Sequence, residues 1–226
     1  MLTAIIIVFV VLVFTYGSYY VGSGFYLKAV CRLKNAKDSI ALTFDDGPHP
    51  RFTPLILELL KAHNATAAFF CTGKSIDDNP GWAKQIAEQG HIVGNHTYGH
   101  SPWFDFWGVK RMTAELQRCD ESILRETGSK PLFFRPPYGV TTPSLGRAVR
   151  KMNYSTIGWS IRSYDTTDDS ADVIFNRIKK QIRGGDIVLL HDNREVTVAV
   201  VKMLLEYCSK NGIKIVRIDK MIRNGK

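Results

Sequence analysis

Short apolar runs alternate with amphipathic segments along most of this chain. The runs predict seven strands, at residues 40–44, 66–71, 91–95, 132–134, 154–160, 186–190 and 213–217. The segments between them predict helices, several of which begin where a capping residue precedes a proline, as at Thr53, Asn79 and Thr142. This alternation predicts an α/β fold with a mainly parallel sheet, either open or closed into a small distorted barrel of about seven strands.

The first 27 residues differ from the rest because they carry no charged side chain. Residues 2–14 are nearly all apolar and several aromatic residues follow, which is typical of a membrane helix of about 20 residues with an aromatic belt. We therefore predict one transmembrane anchor over residues 1–27, a linker over 28–38 and one globular domain over 39–226. A cleaved signal peptide and a buried core helix are the alternatives.

Composition and charge narrow the choice of partners. The chain has 226 residues and a formal net charge of +9 but no nucleic-acid-binding motif, so we expect no nucleic-acid partner. The charge fits a basic solvated surface or attraction to an anionic partner. The four cysteines lack zinc or redox spacing and leave the compartment open, and the oligomeric state stays open too. By the positive-inside rule, a cytoplasmic domain is favoured by the basic residues that follow the apolar segment, Lys28, Arg32, Lys34 and Lys37.

An acidic pair stands at the end of the first predicted strand, in the string Thr43-Phe44-Asp45-Asp46-Gly47-Pro48. Adjacent carboxylates repel each other, so a fold accommodates them when a metal ion or an arginine offsets one charge. Alternation along a strand or turn points neighbouring side chains in different directions. We therefore expect Asp45 and Asp46 to have separate partners.

Further polar residues follow the other predicted strands, where parallel barrels carry their active groups. His96 and His100 are four residues apart, so on a helical turn both rings could bind one metal ion. Arg135 opens the stiff string Arg-Pro-Pro-Tyr-Gly and could face a carboxylate. His191 ends a buried-type strand, and Asp165 beside it would raise its pKa and suit it to act as a general acid.

These motifs, in this order, resemble those of the polysaccharide deacetylases, a carbohydrate esterase family built on the NodB homology domain. The resemblance extends from about residue 39 to residue 222 and implies the family's distorted (β/α) barrel. It also implies that Asp46, His96 and His100 bind a divalent metal ion, usually Zn²⁺ and alternatively Co²⁺, Mn²⁺ or Ni²⁺.

The same resemblance implies the catalytic roles. Asp45 is expected to be the general base, and Arg135 to hold it in place. His191 is expected to be the general acid, assisted by Asp165, and the backbone N–H of Tyr138 to stabilise the oxyanion. Amide hydrolysis needs these parts, an activated water, a proton acceptor and a proton donor. The sequence has no Gly-x-Ser-x-Gly string, which disfavours a serine mechanism.

The sequence departs from the family pattern shortly after Trp159. Many members carry Asp-x-x-Asp-Trp there, whereas this chain has Arg162 in place of the first aspartate and Thr166 in place of the tryptophan. The missing tryptophan would have walled a sugar-binding groove, so we expect an altered substrate preference. A lid or a sugar-stacking surface is also expected from the aromatic residues that follow the histidine pair, Trp103, Phe104, Phe106 and Trp107.

The expected function is that of a metal-dependent hydrolase that removes N-acetyl groups from the amino sugars of a polysaccharide, with peptidoglycan favoured over a chitin-like polymer. An O-acetyl esterase acting on xylan-type glycans and a non-catalytic carbohydrate-binding protein are the alternatives. Because such substrates lie outside the cytoplasm, we expect a single-pass N-terminal anchor with the catalytic domain on the extracytoplasmic side. The basic residues after the anchor favour the opposite orientation.

Overall fold

The computed structural model describes residues 1–33 and 35–224. Within them, helices α1 to α9 span Leu2–Tyr19, Phe52–Ala62, Gly73–Asp78, Trp82–Glu88, Val109–Thr127, Pro143–Met152, Ala171–Lys179, Glu195–Lys210 and Ile218–Asn224. Strands β1 to β9 span Ala29–Val30, Ser39–Asp45, Ala68–Cys71, Ile92–Asn95, Phe133–Phe134, Ser155–Ile157, Ile161–Arg162, Ile187–His191 and Lys214–Ile215. All the predicted strands are present, although most are shorter than expected.

The strands form one parallel sheet in the order β1-β6-β5-β4-β3-β2-β8-β7, and β9 pairs with the start of β2. The sheet curls so that its two sides approach each other: Arg32, just after β1, forms an antiparallel bridge with Asp186, just before β8. The side chains of these two residues also form an ion pair of 3.1 Å. The predicted α/β class and distorted barrel are confirmed.

Two short strands were not expected from the sequence. Strand β1 lies inside the predicted linker 28–38 and pairs with β6, so this segment belongs to the sheet. Strand β7 begins where the predicted strand 154–160 was expected to end. The extended strand is interrupted between β6 and β7 at Gly158, where a Cβ atom would lie 2.5 Å from the Cys31 sulfur. Strands of two residues are too short to show an alternating pattern.

Strand β2 is buried along its whole length, and its alternation separates two environments. Ile40, Leu42 and Phe44 pack into the layer between the sheet and the outer helices. Ala41 faces the barrel interior with the small interior cluster, and Thr43 bonds the buried Arg135 there. Continuing this alternation places Asp45 at the interior end of the strand, where the barrel opens.

Helix α1 is long and apolar enough to cross a membrane, judged by length and composition. Its end is attached to the folded domain: Thr141 donates from its hydroxyl to the carbonyl of Gly17 and from its backbone N–H to the carbonyl of Ser18, both at 2.8 Å. Beyond the helix, Val21 and Leu27 are buried in the domain. The last part of the segment predicted as anchor, residues 17–27, therefore packs against the domain. Its contact residue Thr141 is three positions after Tyr138 in the chain.

Candidate active site and metal centre

The carboxyl ends of the strands surround a pocket of about 270 Å³. Six of the predicted site residues line it, namely Asp45, Asp46, His96, His100, Tyr138 and His191. The other two, Arg135 and Asp165, are buried and bond to residues of that lining. The structure thus brings all the predicted site residues into one place.

Asp45 and His191 are neighbours because of the register between two parallel strands. They are paired across β2 and β8 at the last position of each strand. Neighbouring strands lie about 4.8 Å apart, and residues in register share the same face. The two side chains therefore stand side by side at the mouth of the barrel, one able to accept a proton and the other to donate one.

A fully buried arginine holds Asp45. Arg135 donates to the Asp45 carboxylate at 2.7 Å and to the Thr43 hydroxyl at 2.8 Å. It also donates to the carbonyls of Gly158 at 2.8 Å and Ile157 at 3.2 Å. Burial lowers the pKa of Arg135, and the Asp45 charge opposes that shift. Because four acceptors fix the guanidinium, the carboxylate beside it has a defined position and a counter-charge.

Asp46, His96 and His100 form a set that could hold a metal ion, with ligand atoms all within 4.8 Å of one another. The Nε2 atoms of His96 and His100 each lie 3.6 Å from Asp46 Oδ1. Ligands at about 2.1 Å from a tetrahedral ion are about 3.4 Å apart, so this spacing fits a divalent metal. His96 Nδ1 lies 2.8 Å from the Arg135 carbonyl, which leaves Nε2 for the metal.

The histidine pair does not stand on a helical turn, and the expectation of one was wrong. Residues 96–100 form a loop in which Thr97 and His100 have φ angles of 65° and 46°. The left-handed residues bend the chain so that both imidazoles face Asp46. Burial, followed by the proximity of His96, lowers the pKa of His100 to about 4, so its ring is neutral and has a lone pair for a metal.

Asn95 is a buried residue that sequence reasoning missed. Its Oδ1 accepts from the Thr97 N–H at 2.8 Å, and its Nδ2 donates to the Leu116 carbonyl at 2.9 Å and to Asp120 at 2.8 Å. It therefore ties the histidine loop to helix α5. The available signal was a polar amide at the end of a buried strand, directly before a histidine.

Asp165 orients the imidazole of His191. Its Oδ1 lies 2.8 Å from His191 Nδ1, and its Oδ2 accepts from the His191 N–H at 2.8 Å and the Thr197 hydroxyl at 2.6 Å. Burial opposes charge on the imidazole, but the hydrogen bond and charge of Asp165 outweigh it and raise the pKa of His191. A histidine with a raised pKa is more often protonated near neutral pH, as a general acid must be.

Asp192, a buried carboxyl, is a second residue that sequence reasoning missed. It accepts from the Thr53 hydroxyl at 2.5 Å, and burial is the main cause that raises its pKa to about 7. A Cβ atom on Gly47 would overlap its carboxylate oxygens. Close packing between Gly47 and Asp192 therefore supports the turn that carries Asp46, and it explains why a glycine follows the acidic pair.

Tyr138 has a φ angle of 56°, in the left-handed region. Its half-exposed ring lies against His100, with ring centroids 4.6 Å apart. The glycine that follows it has no room for a side chain, because a Cβ atom on Gly139 would overlap the ring of Trp159. The Arg-Pro-Pro-Tyr-Gly string therefore packs against Trp159, and both line the pocket.

The departures from the family pattern also reach the pocket. Arg162 and Thr166, at the positions of the usual aspartate and tryptophan, line it together with Arg194. The aromatic segment after the histidine pair divides between two environments. Phe104 is buried in a core cluster, whereas Trp103 and Phe106 are 68% and 82% exposed.

Three side chains that could hold a metal ion, beside a buried carboxylate and an oriented histidine, have the parts of a hydrolytic metal site. The family model for polysaccharide deacetylases matches residues 32–157, more than half of the chain. This chain therefore belongs to the polysaccharide deacetylase family, and the family prediction is confirmed. Asp165 and His191 lie beyond the matched residues, so their assignment depends on the geometry described above.

Individual relatives support the same family assignment. A peptidoglycan-N-acetylglucosamine deacetylase of Bacillus cereus is 32% identical over 200 residues, covering 84% of this chain and 90% of that protein. The peptidoglycan-N-acetylmuramic acid deacetylase PdaA of Bacillus subtilis is 33% identical over 172 residues, covering 72% of this chain and 65% of that protein. A crystal structure of a peptidoglycan N-acetylglucosamine deacetylase superposes with a TM-score of 0.80 at 31% identity, covering 84% and 91% of the two chains.

Proposed function

We propose that the protein hydrolyses the N-acetyl groups of amino sugars in a polysaccharide, with peptidoglycan as the first candidate and a chitin-like polymer as the second. One observation carries the proposal: the ion-paired Asp45, the His191–Asp165 pair and a three-residue metal-ligand set share one pocket. The two relatives described above are named for deacetylation of N-acetylglucosamine and of N-acetylmuramic acid in peptidoglycan, which supports this substrate class.

Asp46, His96 and His100 would hold a divalent metal ion, and two imidazoles with one carboxylate are a ligand set that catalytic Zn²⁺ sites use. When bound, such an ion lowers the pKa of water to about 7 and polarises a carbonyl group. Asp46 also gains a counter-charge in this way. The two members of the acidic pair then have separate partners, the metal for Asp46 and Arg135 for Asp45.

The residues of the chain divide the proton transfers between them. Asp45, held by Arg135, accepts the proton of the attacking water. His191, protonated and held by Asp165, gives a proton to the amine nitrogen as the carbon–nitrogen bond breaks. The backbone N–H of Tyr138 would donate to the oxyanion between these steps. Each acid or base step contributes about 10²–10⁴ in rate.

The raised pKa of His191 favours amide over ester cleavage. An amine leaves poorly unless its nitrogen is protonated. The raised pKa of His191 increases the fraction of its imidazole that carries a proton to donate. An O-acetyl ester needs less assistance, so a xylan-type O-acetyl esterase remains the second candidate for the same pocket.

Acetate release tests the proposal. Purified full-length protein with Zn²⁺ is expected to release acetate from N-acetylglucosamine oligomers or peptidoglycan faster than from acetyl-xylan, and Asp45→Asn to lose most of that rate. Acetate from acetyl-xylan alone would favour the esterase. Glycan binding without turnover by the wild-type protein would indicate a carbohydrate-binding protein instead.

We also propose that helix α1 anchors the protein with its catalytic domain outside the cytoplasm, where these glycans lie. The helix has 18 residues, about 27 Å, close to the 30 Å hydrocarbon thickness. Its last turn would lie at the membrane surface, and Thr141 bonds to that turn. The pocket would therefore be close to the membrane. A reporter fused after Lys226 that is active only in the cytoplasm would contradict this orientation.

A further inference from the structure

Two arginines at the rim of the pocket form no ion pair within the part of the chain that the structure describes. Arg162 lies on β7, Arg194 directly precedes α8, and both line the pocket with exposed side chains. Among residues 1–33 and 35–224, no carboxylate forms an ion pair with either guanidinium. The Arg162 guanidinium lies near two aromatic rings, at 5.9 Å from the Trp159 centroid and 5.0 Å from that of Tyr164.

The charges inside the pocket do not require these arginines. Arg135 offsets Asp45, and Asp165 is buried behind His191 and hydrogen-bonded to it. The remaining carboxylate, Asp46, is more than offset once a divalent metal is bound. With a metal ion bound, no carboxylate of the pocket lining needs the two rim arginines as a counter-charge. The arginines therefore make the pocket more positive, and a positive pocket attracts anions.

We propose that Arg162 and Arg194 bind a carboxylate of the glycan, carried by the acetylated sugar or by its immediate neighbour. This inference rests on the proposed deacetylase function and narrows its substrate class. Guanidinium groups match carboxylates in shape and charge, and Arg162, which lies near the rings of Trp159 and Tyr164 without an ion-pair partner among the described residues, keeps its N–H groups available. Thr166, a small residue in the same lining, leaves space for a substituent on the sugar ring.

Two parts of peptidoglycan offer such a carboxylate: the lactyl ether of muramic acid and the attached peptide. Four tetrasaccharide probes separate them. They are an N-acetylglucosamine tetramer, a peptide-free tetramer that alternates N-acetylglucosamine and N-acetylmuramic acid, the same tetramer with its lactyl carboxylates converted to methylamides, and the tetramer with peptides attached. Acetate release gives kcat/KM for each probe with the full-length zinc-loaded protein in detergent.

We expect the wild-type protein to prefer the peptide-free carboxylate probe to its methylamide by about tenfold or more. Arg162→Gln and Arg194→Gln should each reduce that preference by about threefold to tenfold, which lies between the effect of an exposed ion pair and that of a buried hydrogen bond to a charged group. The preference should also fall with added salt. The matched control is Arg147→Gln, an exposed arginine of α6 outside the pocket lining, which should leave the preference unchanged.

A preference that appears only when peptides are attached would assign the carboxylate to the peptide. Equal kcat/KM for the charged and neutral probes, with or without peptide, would overturn the arginine assignment while acetate release upheld the deacetylase. A binding measurement by calorimetry on the Asp45→Asn variant tests the arginine assignment independently of turnover. If no glycan is deacetylated but the carboxylate probe still binds more tightly than the methylamide, the proposed reaction fails and the arginine assignment stands. Equal affinities would overturn the assignment.

Discussion

The buried ion pair between Asp45 and Arg135 should be necessary for both stability and turnover. In Arg135→Met, the Asp45 carboxylate, which is 3% exposed, loses its counter-charge, and the carbonyls of Gly158 and Ile157 lose a donor. Removing one partner of a buried pair costs about 3–5 kcal/mol. Since domains are stable by only about 5–15 kcal/mol, the variant should unfold at a much lower denaturant concentration.

A double-mutant cycle separates the pair from its surroundings. Asp45→Asn should also destabilise, because Arg135 then remains buried without a charged partner. The combined variant leaves neither charge alone, so its cost should be less than the sum of the single costs by about 2–3 kcal/mol. The assay is guanidinium unfolding of the full-length protein in detergent, followed by circular dichroism. Arg147→Met, at an exposed position, is the control and should change stability by less than about 0.5 kcal/mol.

Turnover gives the second readout. Asp45→Asn should reduce acetate release by about 10²–10⁴, the contribution expected of a general base. Single variants within about 1 kcal/mol of the wild-type stability, or purely additive costs, would show that the pair is not coupled. Undiminished turnover in Asp45→Asn would remove this residue as the base.

Three further predictions concern the pocket. Asp165→Asn removes the charge that raises the pKa of His191. Because the general acid works only when protonated, the alkaline limb of the kcat/KM profile should move to lower pH. An alkaline limb that does not move would contradict this role of Asp165. His96→Ala should lose bound metal by elemental analysis, whereas the exposed His63→Ala should retain it; a full load in His96→Ala excludes His96 as a ligand. Gly47→Ala should lower stability by about 1–3 kcal/mol, because the new methyl group overlaps a buried carboxyl; an unchanged melting temperature refutes that packing.

Most of the candidate site could be predicted because its residues stand at the ends of strands that the apolar pattern marks. Alternation along β2 also predicts that Asp45 and Asp46 point to different partners. The short strands β1 and β7 could not be predicted, because they form only where the curled sheet offers an edge. Asn95 and Asp192 were missed for a related reason: their roles depend on residues distant in the chain, to which they bond or pack.

By itself, the sequence determined the family, the parallel α/β fold and the residues that carry the chemistry, since strand patterns and motifs are local. Only the tertiary structure decided how those residues meet. The register between β2 and β8 places Asp45 beside His191, and left-handed φ angles at Asp46, His100 and Tyr138 turn three site residues into the pocket. Such conformations are unfavourable alone and persist only where surrounding contacts enforce them, so no local pattern records them.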